Sequence, residues 1–141
     1  MVFRLTEISG VDLLPRKRKL QCRNGHFLEV RPDGTVRGTK NNDSIYTVFH
    51  LNSVGPNIVT LWAAEARLYV GIDDRGNIVT SASKIPSCEL REKLDTEFFT
   101  SLSKEFSPRR LHCLAISVQG KVRSSILTSS QNVQFITKRL H

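Results

Sequence analysis

The stretch LEVRPDGTV, residues 28 to 36, has two counterparts in the same chain, VGIDDRGNI at 70 to 78 and LAISVQGKV at 114 to 122. Their turn glycines, Gly34, Gly76 and Gly120, stand 42 and 44 residues apart, and when these are superimposed the flanks agree. Six residues before each glycine stand Leu28, Val70 and Leu114; four before, Val30, Ile72 and Ile116; two after, Val36, Ile78 and Val122. All nine are apolar and alternate with period two, as side chains on one face of a strand must. Each unit continues into a further strand-like stretch, IYTVFHL from Ile45, CELREKL from Cys88 and NVQFITKRL from Asn132. Each is led by another, in KLQC, NIVTLWAA and FFTSLSKE.

Three four-stranded units of this length are too few for an open solenoid, whose faces need several stacked neighbours and caps. Closure serves them better. Six strands form a barrel and three hairpins cap it, which leaves few unpaired edges. The expected fold is therefore all-β, a β-trefoil, with units at about 19–56, 57–97 and 98–141. Leu90, Leu94 and Phe98, four apart, would suit a short helix, but the repeat places CELREKL where the other units have a strand. It is the weakest of the twelve.

The 141 residues suffice for one cored domain. Residues 1–18, which lack alternation and end in Arg16, Lys17 and Arg18 of the run Arg16 to Lys19, are expected as a flexible basic arm before a domain at 19–141. No run approaches the ~20 apolar residues of a membrane span, and Arg4 and Glu7 interrupt what would be a signal peptide's apolar core. A soluble protein without a classical export signal and without membrane insertion is expected. Cys22, Cys88 and Cys113, odd in number and widely spaced, read as free, half-buried thiols on strands. No paired C-x-x-C or H-E-x-x-H suggests a metal, and His26, His50, His112 and His141 have no nucleophile elbow around them. No metal, cofactor or catalytic residue is expected.

The formal net charge of +8 points to a polyanionic partner. The run from Arg16 to Lys19 is its densest cluster and admits three readings: a nuclear-import signal, a supplement to a glycan site, or a solvated arm.

The segment KLQCRNGHFLEVRPDGTVRGTKNND, above all Pro32 to Gly38, resembles the first unit of the fibroblast growth factors. Leu68-Tyr69-Val70 with the Arg75-Gly76 hairpin, and Cys88 through Leu94, resemble segments of their second unit. The leader FRLTEISGVDLLPRKRKLQC is most similar to that of the acidic branch of the family, which also lacks a classical signal peptide. The resemblance covers about residues 3 to 140 and thins in the third unit. One glycine, Gly25, stands where the family has two; Gln21 replaces an aromatic; FITKRL replaces an apolar final strand.

The resemblance implies a heparin-binding growth factor that activates a fibroblast growth factor receptor tyrosine kinase and drives proliferation, differentiation or migration. Its partners would be that receptor and a heparan sulfate proteoglycan, with heparan sulfate or heparin as co-ligand and no specific nucleic acid. It would be secreted without a classical signal peptide, with cytoplasm and nucleus as further compartments. Carried over by position, the heparin-binding residues are Asn24, Lys121, Arg123, Gln131 and Asn132, with Arg109 and Arg110 nearby. Lys121 and Arg123 read equally as solvated hairpin charges, and the loop SSILTSS between the two groups carries no cation. The receptor-binding residues are Gln21, Lys40, Glu92, Phe98 and Leu140. Glu92 also reads as a plain ion-pairing residue. Phe98 and Phe99, adjacent on a strand, would face opposite ways, one into the core and one out as an anchor. The alternative is an intracellular trefoil module resembling the fibroblast growth factor homologous factors, which bind ion-channel tails. A lectin would need an aromatic and an acidic residue repeated in each unit, and Trp62, the only Trp, has no counterpart.

Overall fold

The computed structural model describes residues 14–107 and 110–140. Twelve strands follow one another: β1 Arg16–Cys22, β2 Phe27–Val30, β3 Val36–Thr39, β4 Val48–Gly55, β5 Ile58–Ala63, β6 Leu68–Ile72, β7 Ile78–Ser81, β8 Leu90–Leu94, β9 Thr100–Ser107, β10 Arg110–Ile116, β11 Val122–Ser125 and β12 Phe135–Arg139. All pairings are antiparallel. β1 pairs β4, β4 pairs β5, β5 pairs β8, β8 pairs β9, β9 pairs β12 and β12 pairs β1, which closes a six-stranded barrel. The remaining six form the hairpins β2–β3, β6–β7 and β10–β11. This is the β-trefoil that the internal repeat implied.

The nine aligned apolar positions build its centre. Leu28, Val30, Val70, Ile72, Leu114 and Ile116 are fully buried, and Val36, Ile78 and Val122 pack against that core from the returning arms. Leu20, Phe49, Leu51, Leu61, Leu90, Leu102 and Phe135 fill the barrel between them. At about 25 cal/mol per Å² of apolar surface removed from water, each such side chain contributes on the order of 2 kcal/mol, so nine symmetric positions carry the fold.

One five-residue turn recurs. Its first N–H donates to the fifth carbonyl while the fourth N–H donates back to the first, as in Arg31–Thr35 (3.0 and 2.9 Å), Asp73–Asn77 (2.9 and 3.0 Å) and Ser117–Lys121 (both 2.8 Å). The fourth position is Gly34, Gly76 or Gly120 at φ between +82° and +88°, where a Cβ would be strained.

Three expectations are corrected. The fourth strand-like stretch of each unit starts later than its apolar text: Ile45–Thr47, Pro86–Cys88 and Gln131–Val133 are 3-10 helices, and β4, β8 and β12 begin after them. Ser44 and Ser130 cause this in two units by accepting the backbone N–H of Tyr46 and Asn132, and Pro86 does so in the other by setting φ at the start of the turn. The basic run at 16–19 belongs to β1 and not to an arm, because it pairs on both sides, with Leu51 to Val48 of β4 and, from Arg18, with β12. The rest of the expected arm, residues 1–13, lies outside the described residues, as does Arg109. The thiols are free but fully buried, and Cys88 sits in a 3-10 helix, not a strand. Burial pushes all three thiols above their ordinary pKa.

No helix among the described residues is long and apolar enough to cross a membrane. No group of three or more metal-ligating side chains converges among them either.

Candidate receptor and glycan surfaces

Phe98 is not on a strand. The turn between β8 and β9 is the recurrent five-residue one, with Asp95 donating to the Phe99 carbonyl at 2.8 Å and Phe98 donating back to Asp95 at 3.1 Å. Asp95 Oδ1 accepts the Glu97 and Phe99 N–H groups at 2.8 and 2.9 Å, which tightens the loop as an Asx-turn does. These backbone bonds, that from Phe99 foremost, hold the Asp95 carboxyl below its usual range. Phe98 thus occupies the glycine position, at φ +69°, with its side chain 80% exposed. A left-handed aromatic residue costs about 1 to 2 kcal/mol, so this turn holds a large apolar group out in solvent against its own backbone preference. Leu94, where β8 enters the turn, is 60% exposed. Phe99 is half-buried under the Arg23 guanidinium, 4.6 Å from the ring centroid, and Arg23 also pairs with Glu97 at 3.2 Å.

Glu92 faces Arg16, which donates to both carboxylate oxygens at 3.1 and 2.9 Å. β1 and β8 are not neighbours in the barrel, so this bidentate pair spans its uncapped mouth. Gln21 is half-buried on β1, opposite Ile136, which is exposed on β12. Leu140 borders the depressions beside Arg139, and Lys40 is exposed with its Nζ near Gly25. The five receptor residues are therefore spread over the mouth and its rim (Glu92, Leu140), the outer side of β1 beside the first hairpin (Gln21, opposite Phe27 and next to Gly25), the β8–β9 turn (Phe98) and the far side of that hairpin (Lys40).

The glycan residues separate into two kinds. Asn24 and Asn132 meet: Asn24 Nδ2 donates to Asn132 Oδ1 at 3.0 Å and to the Ile116 carbonyl at 2.7 Å. Its Oδ1 accepts the His26 N–H at 3.3 Å. Asn24 is thus a clamp between the first and third units, with both amide hydrogens engaged. Lys121, Arg123 and Gln131 are exposed. The Lys121 backbone forms an isolated antiparallel β-bridge with that of Arg37 across units, and Arg123 shares a depression of about 440 Å³ with Arg75, His112, Ile126 and Leu127. Arg110, at the start of β10, is exposed near His112.

Sequence reasoning overlooked Glu29. Though in a strand of alternating text, it is buried, and its carboxylate accepts from Arg37 Nε at 2.6 Å and Ser44 Oγ at 2.5 Å. Lys138 and Arg139, which the sequence presents only as a departure from an apolar final strand, stand on β12 beside β1.

Twelve strands in three unequal units, one exposed aromatic turn and a formal charge of +8 define a cationic β-trefoil domain. The family model described as fibroblast growth factor matches residues 16–136. The chain belongs to the fibroblast growth factor family, whose members are growth factors and signalling ligands, not enzymes.

Proposed function

We propose that this chain is a ligand that activates a fibroblast growth factor receptor tyrosine kinase, with a sulfated polysaccharide as co-ligand, and that it acts outside the cell. The observation that carries this reading is Phe98, displayed at a strained glycine position beside exposed Leu94. Protein interfaces concentrate their binding energy in a few aromatic anchors at the centre of a patch, ringed by polar contacts. The likeness of the leader to the acidic branch supports the same reading.

The test is addition of the purified protein to cells bearing the receptor, with heparin-affinity chromatography in parallel. Receptor tyrosine phosphorylation that rises with dose and is strengthened by heparin is the expected result. Retention only at low salt with no phosphorylation would sink the reading and favour the intracellular module.

A further inference from the structure

The pairing of β1 with β12 sets Arg18 directly opposite Arg139 and Lys19 directly opposite Lys138. Like charges at directly opposed positions of an antiparallel pair repel, and two successive such pairs break a rule that strands ordinarily keep. Leu20 and Cys22 point into the barrel, so by alternation Arg16 and Arg18 face its mouth while Lys17 and Lys19 face outward. Arg139 joins the arginines and Lys138 the lysines. Six cations thus line one seam on both of its sides. Among the described residues one carboxylate reaches them, that of Glu92 on Arg16. Burial, then the charges of Arg139 and Arg16, push the Arg18 guanidinium below its ordinary pKa.

The side chains are held. Arg18 Nη1 donates to the Lys17 carbonyl at 2.9 Å, Lys19 Nζ donates to the Asn42 carbonyl, and Lys138 Nζ lies 5.7 Å from the Phe27 ring centroid. Two shallow depressions adjoin along the seam, of about 420 and 340 Å³, both lined by Arg139 and Leu140. From Arg16 to Lys19 the strand advances about 10 Å, at ~3.3 Å per residue.

By contrast, the surface around Lys121 and Arg123 is thinner in free charge. Arg37 beside it is taken by Glu29, and the adjoining loop 124–130 exposes Ile126 and Leu127 where cations would be needed.

We propose that the β1–β12 seam, and not the third-unit loop, is where this chain holds a linear sulfated polysaccharide. This deepens the glycan part of the proposed function and rests on it. The guanidinium groups on the mouth side and the ammonium groups on the outer side meet along the rim, where both line the two depressions, and such an edge suits sulfate oxygens repeated along a chain, with displaced counterions adding to the gain. No aromatic side chain lines either depression, so nucleotide bases would find no stacking platform. A bound polyanion would also relieve the repulsion that the register builds in.

The experiment compares the native chain with two double variants, Lys138→Gln with Arg139→Gln, and Lys121→Gln with Arg123→Gln, on heparin across a salt series. The seam pair is expected to lose about tenfold or more in affinity and to reduce the salt slope by about 2, one unit per contact, while the loop pair changes little. In melting curves without heparin the seam pair should be at least as stable as the native chain, because a repulsion is gone, while its heparin-induced rise in Tm shrinks. That combination separates a binding role from misfolding. A loop pair that loses heparin while the seam pair keeps it overturns the proposal. So does a native chain that binds phosphatidylserine vesicles or oligothymidylate more tightly than heparin through the seam. Receptor phosphorylation is scored separately: its absence with seam-dependent heparin binding removes the receptor reading alone, and its presence with loop-dependent binding removes the seam alone.

Discussion

Phe98 shows how one side chain carries information that its sequence neighbourhood conceals. The glycine turn forms here without a glycine, on the same side-chain cap from its first residue that Asp73 and Ser117 give the Gly76 and Gly120 turns. Nothing in FFT announced this, and alternation alone put both phenylalanines on a strand. Phe98→Gly should relax the turn by about 1 kcal/mol and raise Tm by about 3 °C in calorimetry. Glu29 is the second such residue. Burial would lift its carboxyl above the ordinary 4.5, but the Ser44 hydroxyl and the Arg37 and Arg31 guanidiniums outweigh burial and hold it below. Because the folded value lies under the unfolded one, its stabilisation is complete above about pH 4.5 and is lost as pH falls through the folded value. Glu29→Gln should cost about 2 kcal/mol at pH 7 in urea unfolding and flatten the acid limb of the stability profile.

At the level of elements, the strands were legible because burial of one face imposes period two, and threefold repetition supplies three copies of each signal. Val70 and Leu114 make Leu28 readable. The 3-10 helices were not, since three residues are too short to show a period, and IYTVF is as apolar as a strand. Their signals lie in single capping atoms, Ser44 Oγ and Ser130 Oγ. Ser130→Ala should lower stability by about 1 kcal/mol by denaturant titration. Gly71 presents a related packing constraint: a Cβ there would strike the Ser87 carbonyl of the second unit's 3-10 helix, which is backbone and has little room to yield. Gly71→Ala should therefore be strongly destabilising, lowering Tm by several degrees in a thermal melt.

For the molecule as a whole, the charge of +8 indicated a polyanion but not its location. Location depends on strand register, and register between β1 and β12 joins residues from opposite ends of the chain, which no local window contains. The same limit applies to Asn24 and Asn132, whose contact ties the first unit to the third. What the text did convey was the closed barrel that brings these ends together and displays the β8–β9 turn. The most direct test of the account is binding of the purified protein to an immobilised fibroblast growth factor receptor ectodomain, with Phe98→Ala measured beside it. The account predicts saturable binding that weakens by at least about tenfold in the variant, equivalent to about 1.4 kcal/mol, with the fold intact. Equal affinity of the two proteins, or no binding by the native chain, would contradict it.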